Sequence, residues 1–216
     1  MKRVLSCILI ISLLCSMTLS FSSCARAPKV DDIYDRVVEL IEGANELNTV
    51  FYGAGLPVYE TNSTYAQLSH MYHGFDYTGE YEMVTPYAKF ASVSQIEQAA
   101  EKIYSEDYLK NIVYPAMFTG YAVQGVDGVQ VSGARYMEDL DWIYQSTEDS
   151  ALYSGMIVYD YSTMQIVPPS NGEACYVTID ARMEDDGCTE PSRQIRLRLV
   201  WQNDNWYLDS FTGGVI

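Results

Sequence analysis

The chain has little with which to do chemistry. Only two histidines occur in its 216 residues, and no cysteine stands beside either. There is no Gly-x-Ser-x-Gly, so the common nucleophile arrangements leave no trace. Gly53-Ala54-Gly55 is the nearest thing to a glycine-rich loop. It follows a helical pattern rather than a strand, the wrong context for holding phosphate or a dinucleotide. Positive charge is scarce too: 13 Lys and Arg face 29 Asp and Glu, a net charge of -16. Such a surface repels nucleic acid, anionic lipid and anionic wall polymer. It favours a basic partner or cationic counter-ions, and it also serves solubility alone. No stretch after the first 24 residues is long and apolar enough to span a bilayer, and no internal repeat or low-complexity tract occurs. The expectation is a non-enzymatic protein with no cofactor, no metal and no nucleic-acid partner.

What is present begins at the N-terminus. Lys2 and Arg3 precede a run from Val4 to Leu19 that is apolar apart from small Ser, Thr and Cys, and Phe21-Ser22-Ser23-Cys24 closes it. A basic start, a short apolar core and a small-residue end make a secretory signal peptide. The run is about 16 residues, short of the roughly 20 that a spanning helix needs. The cysteine after two serines resembles the lipobox of bacterial lipoproteins, in which a peptidase cuts before the Cys and the Cys carries the lipid. Phe21 departs from the usual Leu three positions before it. The resemblance implies a diacylglycerol on Cys24 and a protein held on the outer face of the cell membrane. The expected organisation is residues 1–23 as signal peptide, 24–30 as a short tether and 31–216 as one domain. Loss of Lys2 and Arg3 moves the formal charge from -16 to -18.

Cleavage leaves three of the five cysteines: Cys24, Cys175 and Cys188. An oxidising compartment lets Cys175 and Cys188 pair. Against that, residues 175–182 read as an extended strand, and Cys188 must fold back along it to reach a Cα separation of about 6 Å. The sequence leaves the bridge open.

From Asp31, apolar residues recur at three- and four-residue steps: Ile33, Val37, Leu40, Ile41, Ala44, Leu47 and Phe51. This is one face of a long helix, with Asp31 and Asp32 in the first turn, where the helix dipole favours anions. Gly53, Gly55 and Pro57 stop it. Residues 56–80 show no clear period and read as a loop, with a short helix around Tyr65–His73. A strand over 81–90 follows, broken near Pro86. Ser94 and Glu97 have the spacing of a capping box, opening a helix that buries Ile96, Ala99, Ala100, Ile103 and Tyr104. Ser105 caps another, with Tyr108, Leu109, Ile112, Val113 and Met117 inward and Pro115 limiting it.

The second half alternates apolar and polar residues. Strands are expected at 129–137, 141–146, 155–160, 163–168, 173–182, 194–202 and 205–211. In the clearest, Ile195, Leu197, Leu199 and Trp201 point one way while Gln194, Arg196 and Arg198 point the other. Asn203-Asp204-Asn205 is a tight turn, so residues 173–211 form a three-stranded meander. Helices first and strands last is the pattern of an α+β fold, with N-terminal helices packed on a single curved, mainly antiparallel sheet.

That order, ending in Asn205-Trp206-Tyr207-Leu208-Asp209-Ser210-Phe211, resembles the cone-shaped cystatin-like or NTF2-like domains of Gram-positive lipoproteins. The segment Tyr159–Arg182, with Ile166-Val167-Pro168, looks like the same group. Within it the arrangement is similar to the IseA-type inhibitors of cell-wall DL-endopeptidases. The resemblance implies a surface-anchored domain that binds a protein, plugging a basic wall hydrolase. The alternative is an NTF2-like module whose aromatic pocket binds a small molecule or glycan.

Three groups are candidate sites. His70 and His73, three apart, would share a helix face and hold a transition metal with Asp76 or Glu80. With no further His or Cys nearby they read as surface histidines. Glu138, Asp139 and Asp141 form one acidic cluster and Glu184, Asp185 and Asp186 another, without the spacing of an EF-hand. They read as solvated edges. Tyrosine is abundant, at 19 residues, and Tyr59, Tyr65, Tyr72, Tyr77, Tyr81 and Tyr87 crowd one stretch. Tyr contacts partners at low entropic cost, although many Tyr simply line the edge of a core. The first five are the expected interface.

Overall fold

The computed structural model describes residues 26–59, 65–72, 75–125, 128–148, 156–185, 188–189 and 191–212. Cys24 and the leader lie outside the described residues.

Helix α1 (Val30–Tyr52) buries the expected face: Ile33, Val37, Leu40, Ile41, Ala44, Leu47 and Phe51. Asp32 Oδ2 accepts a hydrogen bond from Lys29 N, supplying an acceptor to a backbone donor at the helix start. The chain then turns sharply. Gly55 has φ +80°, and a Cβ there would lie 2.1 Å from Gln145 Oε1. That oxygen accepts from Leu56 N at 2.8 Å, so the turn requires a glycine.

The stretch expected to be loop and short helix is a β-hairpin. Strand β1 (Tyr65–Tyr72) pairs antiparallel with β2 (Phe75–Met83). Gln67, Ser69, Thr78 and Glu80 are exposed, while Tyr81 and Gly79 turn inward. The alternation is weak, because Gly79 and Tyr77 stand among the inward-turned or half-buried positions. The expected strand over 81–90 stops at Met83, and residues 85–91 form turns.

Helix α2 (Val93–Glu101) is capped by Ser92, not Ser94: Ser92 Oγ accepts from Gln95 N at 3.2 Å. Ser94 Oγ instead accepts from Gln98 Nε2. Ser105 caps α3 (Glu106–Tyr108) as expected, accepting from Tyr108 N at 3.1 Å. The helix then widens into π-helical turns at Leu109–Val113 and Pro115–Thr119. Leu109, Val113 and Met117, four apart, are buried, whereas Ile112 faces solvent.

The expected strand 129–137 is two strands in different sheets. Strand β4 (Gly128–Ser132) pairs with an unexpected β3 (Tyr121–Gly125). Strand β5 (Tyr136–Asp139) pairs with β6 (Trp142–Ser146), which joins β2, giving the sheet order β1-β2-β6-β5. The expected strands 155–160 and 163–168 are one, β7 (Met156–Val167), with a register shift between Asp160 and Gln165. The meander holds: β8 (Ala174–Asp185), β10 (Arg193–Gln202) and β11 (Asn205–Leu208) are antiparallel neighbours, β7 extends them, and β9 (Cys188–Thr189) turns back on β8. Ile195, Leu197 and Leu199 are buried, but Trp201 is exposed near the strand end, edge-on to Trp206.

The fold is therefore α+β, with helices on antiparallel sheets. The expected single sheet is three among the described residues. Their core is continuous, from α1 through α2 to both larger sheets.

Candidate functional site

The tyrosines expected to form an interface divide. Tyr81 is fully buried and donates to Ala134 O at 2.8 Å, so it belongs to the core and not to an interface. Burial raises its pKa, with the nearby Tyr77 and Glu148 adding to the effect. Tyr77 is half-buried. Its hydroxyl donates to Glu148 Oε1 at 2.8 Å, and its ring lies so close to Gly79 and Gly133 that a Cβ at either would come within 2.6 and 2.2 Å of it. Desolvation first, then the Glu148 carboxylate, pushes the Tyr77 phenol up to about 12, so it is a fixed donor at neutral pH. Tyr59 is half-buried, its backbone N bonded to Met83 O. Tyr65 and Tyr72 stand in register opposite Glu82 and Phe75. Tyr87, in the loop after β2, is 93% exposed.

Tyr104 and Tyr159 are buried against α1, with Tyr52 and Tyr108 half-buried beside them. Asn48, fully buried, donates to Thr212 Oγ1 at 2.7 Å and accepts from Tyr104 OH at 3.2 Å. Tyr159 OH donates to Thr212 O at 2.9 Å. Tyr104 stacks on Tyr108, with ring centroids 5.2 Å apart, and Tyr52 meets Phe211 edge-on. Buried polar groups need partners, and here the partners tie the C-terminal segment to the first helix.

One open concavity lies beside it. A cleft of about 350 Å³ forms where the last turn of α1 meets the π-helical turns, β3 and β4. Phe51, Tyr52, Met117 and Tyr121 give it apolar walls, and Ser132, Ser146, Arg135 and Glu148 give it polar ones. Arg135 is buried. Its Nε donates to Val50 O at 3.0 Å and its Nη2 to Gly53 O at 2.6 Å. Both carbonyls belong to the C-terminal end of α1, the negative end of the helix dipole, and the last turn of α1 has no basic residue of its own. Tyr136 OH also bonds Val50 O, at 2.7 Å. The cation thus holds the helix end and shapes the cleft floor.

The sequence clusters resolve less richly. His70 lies in β1, a strand, so the shared helix face that a metal pair needed does not exist; His73 lies outside the described residues. Among the described residues no three His, Cys, Asp or Glu side chains gather as a metal site requires. Glu138 Oε1 accepts from Val93 N at 2.6 Å, fixing β5 to the start of α2. Glu184 and Asp185 sit at the end of β8, and Asp186 lies outside the described residues. The backbone register sets the two cysteines apart. Cys175 is a free, fully buried thiol opposite Leu199, whereas Cys188 pairs with Asp185, ten residues further along the same strand. At roughly 3.3 Å per residue that separation is about 33 Å. Burial raises the Cys175 pKa.

A feature missed in the sequence is the solvent face of α1. Asp31, Asp35, Glu39, Glu42 and Glu46 are all exposed and fall four, four, three and four residues apart. At 3.6 residues per turn they occupy one narrow stripe, about 22 Å long. Arg36 meets Glu39 at 2.9 Å and Lys89 meets Glu46. The wheel that revealed the apolar face carried this stripe opposite it.

No model of a known protein family matches the chain, and no curated protein matches it. Among the described residues no helix is long and apolar enough to cross a membrane.

Proposed function

We propose that the chain is a non-catalytic lipoprotein, anchored through Cys24 on the outer face of the cell membrane, that binds a basic protein and inhibits a cell-wall hydrolase. The observation that carries this is the carboxylate stripe on α1. Five acids in line on one helix, with Glu39 and Glu46 partly offset by Arg36 and Lys89, on a chain of net charge -16, set up a directional field. Such a field raises the rate of encounter with a cationic surface and rejects anionic competitors. The cystatin-like or NTF2-like assignment is supported by the long first helix, the antiparallel meander β8-β10-β11 and the closing Trp206-Tyr207-Leu208 strand. The test uses the full chain in mild detergent against purified cationic wall hydrolases, with wall lysis as readout. Inhibition at low salt that weakens as salt rises is expected. Changing Asp35, Glu39 and Glu42 together to amides should slow association about tenfold. Absence of binding to every such hydrolase at low salt defeats the reading. Palmitate labelling that persists in Cys24→Ala defeats the anchor.

A second reading has its own observation. A cleft of about 350 Å³ with aromatic walls and hydroxyls lies within the size range of small-ligand sites, roughly 300–1,000 Å³. It suits a small ligand or sugar with one apolar face. Calorimetric titration with neutral oligosaccharides, with Tyr121→Ala as the cleft variant, separates the two readings.

A further inference from the structure

We propose that the tip of the β5–β6 hairpin is a preformed apolar finger that enters an apolar pocket, rimmed by Lys and Arg, on the basic protein partner; this rests on the protein-binding reading above. The hairpin joins Asp139 to Trp142 through two residues, Leu140 and Asp141, both with positive φ (49° and 69°). Two-residue turns of this hand favour Asn, Asp and Gly, because a larger side chain is crowded there. The chain builds the same turn conventionally elsewhere: Asn203 and Asp204, φ 48° and 59°, join β10 to β11. At the β5–β6 tip a leucine occupies the crowded position and leaves 83% of its surface in water. It has neither a local conformational reason nor a packing reason to be there.

Two aromatics stand at the same end of the sheet. Trp142 is 42% exposed. Met83 is paired with Tyr144, and Val84 N donates to Ile143 O, so the chain leaving β2 runs beside β6 and brings the loop of Tyr87 to this end. Beneath the tip the base is fixed. Ile143 and Tyr144 are buried, and Glu138 is bonded to the start of α2. A finger that is ordered before binding loses little entropy on docking, and Trp and Tyr are the side chains that dominate interface hot spots. Asp139 and Asp141, both exposed, bracket the leucine. Those carboxylates choose the occupant: a pocket with a cationic rim, and not an anionic bilayer.

The test uses the full chain in mild detergent with a purified cationic wall hydrolase that it inhibits. Leu140→Asn suits the turn and removes only the apolar tip; an unchanged circular dichroism spectrum confirms folding. The finger predicts at least a tenfold rise in Kd with an unchanged dependence on salt, and shielding of Trp142 from iodide quenching in the complex. If the wild-type chain binds but Leu140→Asn and Trp142→Gln bind within twofold of it, the finger is wrong while the protein-binding reading stands. If the wild type binds no such hydrolase, both fall. A dimer abolished by Leu140→Asn, or a fluorescence shift on phosphatidylcholine vesicles abolished by Trp142→Phe, assigns the tip to another occupant and overturns the proposal.

Discussion

Replacing Arg135 by methionine tests how the end of α1 is held. Methionine keeps much of the apolar stem and loses every donor. The bonds to Val50 O and Gly53 O disappear. Val50 O keeps its bond from Tyr136 OH, so its loss is partial, while Gly53 O loses the donor that the guanidinium gave it. Hydrogen bonds to a charged group are worth about 1.5–3 kcal/mol each. The favourable placement of a cation at a helix C-terminus adds about 0.5–2 kcal/mol. The variant is relieved of keeping a guanidinium out of water, a refund of several kcal/mol. The net expectation is a loss of about 2–3 kcal/mol. For a chain of this size each kcal/mol moves Tm by roughly 2–4 °C, so Tm should fall by about 4–12 °C. Lysine supplies the charge without the planar fork, and Arg135→Lys should lie about midway. Far-UV circular dichroism at two scan rates measures both variants. A methionine variant within 1 °C of wild type, or above it, would show that the buried cation contributes nothing net and that α1 does not depend on this cap.

Leu140→Asn should raise stability by about 1 kcal/mol, by relieving a left-handed leucine, seen as a Tm higher by about 2–4 °C. Alkaline titration followed at 295 nm should be biphasic. Tyr77, Tyr114, Tyr136 and Tyr161 are pushed up to about 12, chiefly by burial. Because the fold favours their neutral form, their contribution is complete below pH about 10 and is lost as pH climbs toward 12. The late phase should therefore coincide with loss of the circular dichroism signal; a single phase near 10 with the fold intact would contradict it. Cys175 should resist a thiol reagent in the native chain, and both Cys175 and Cys188 should react in denaturant without reductant; a mass lower by two hydrogens, restored by reductant, would contradict the register.

Where one physical signal dominated, the sequence was legible. Seven apolar residues at helical spacing defined α1 almost to the residue, because its buried face is apolar apart from Asn48. Ile195, Leu197 and Leu199 did the same for β10. The β1–β2 hairpin escaped because its inward positions include Gly79 and Tyr77, so burial there follows ring packing against glycines and not a hydrophobic alternation. Tyr81 was misread for the same reason: a tyrosine with its hydroxyl bonded to a backbone carbonyl is as buried as a leucine, and composition cannot see the carbonyl. The helix start at Ser92 was lost to a competing Ser94, two hydroxyls with equal local claims. The cleft draws Phe51, Met117, Tyr121 and Arg135 from separate parts of the chain, so no window of sequence contains it. The acidic stripe, by contrast, was fully present in the spacing of α1.

The proposed anchor and the two candidate surfaces fit one orientation. From Cys24 to the start of α1 at Val30 the chain reaches at most about 20 Å, and α1 itself is about 34 Å long. Asp31, Asp32 and Asp35 lie at its tethered end. On a lipid-anchored chain, anionic headgroups would repel them over a screening length of about 8 Å at physiological salt, which would hold that end off the bilayer. The aromatic cleft is built on the opposite end, at Phe51 and Tyr52. The base of the β5–β6 finger contacts α2, beside the loop in which Lys89 pairs with Glu46, also in the distal half of α1. A lipid-tethered chain would thus turn both binding surfaces outward, toward a partner working in the wall. The carboxylate stripe would run along the approach from the membrane end to those surfaces. In the proposed arrangement, charge at the near end would set the stand-off, and charge along the stripe would guide a cationic protein toward the apolar contacts, where affinity rather than encounter is decided.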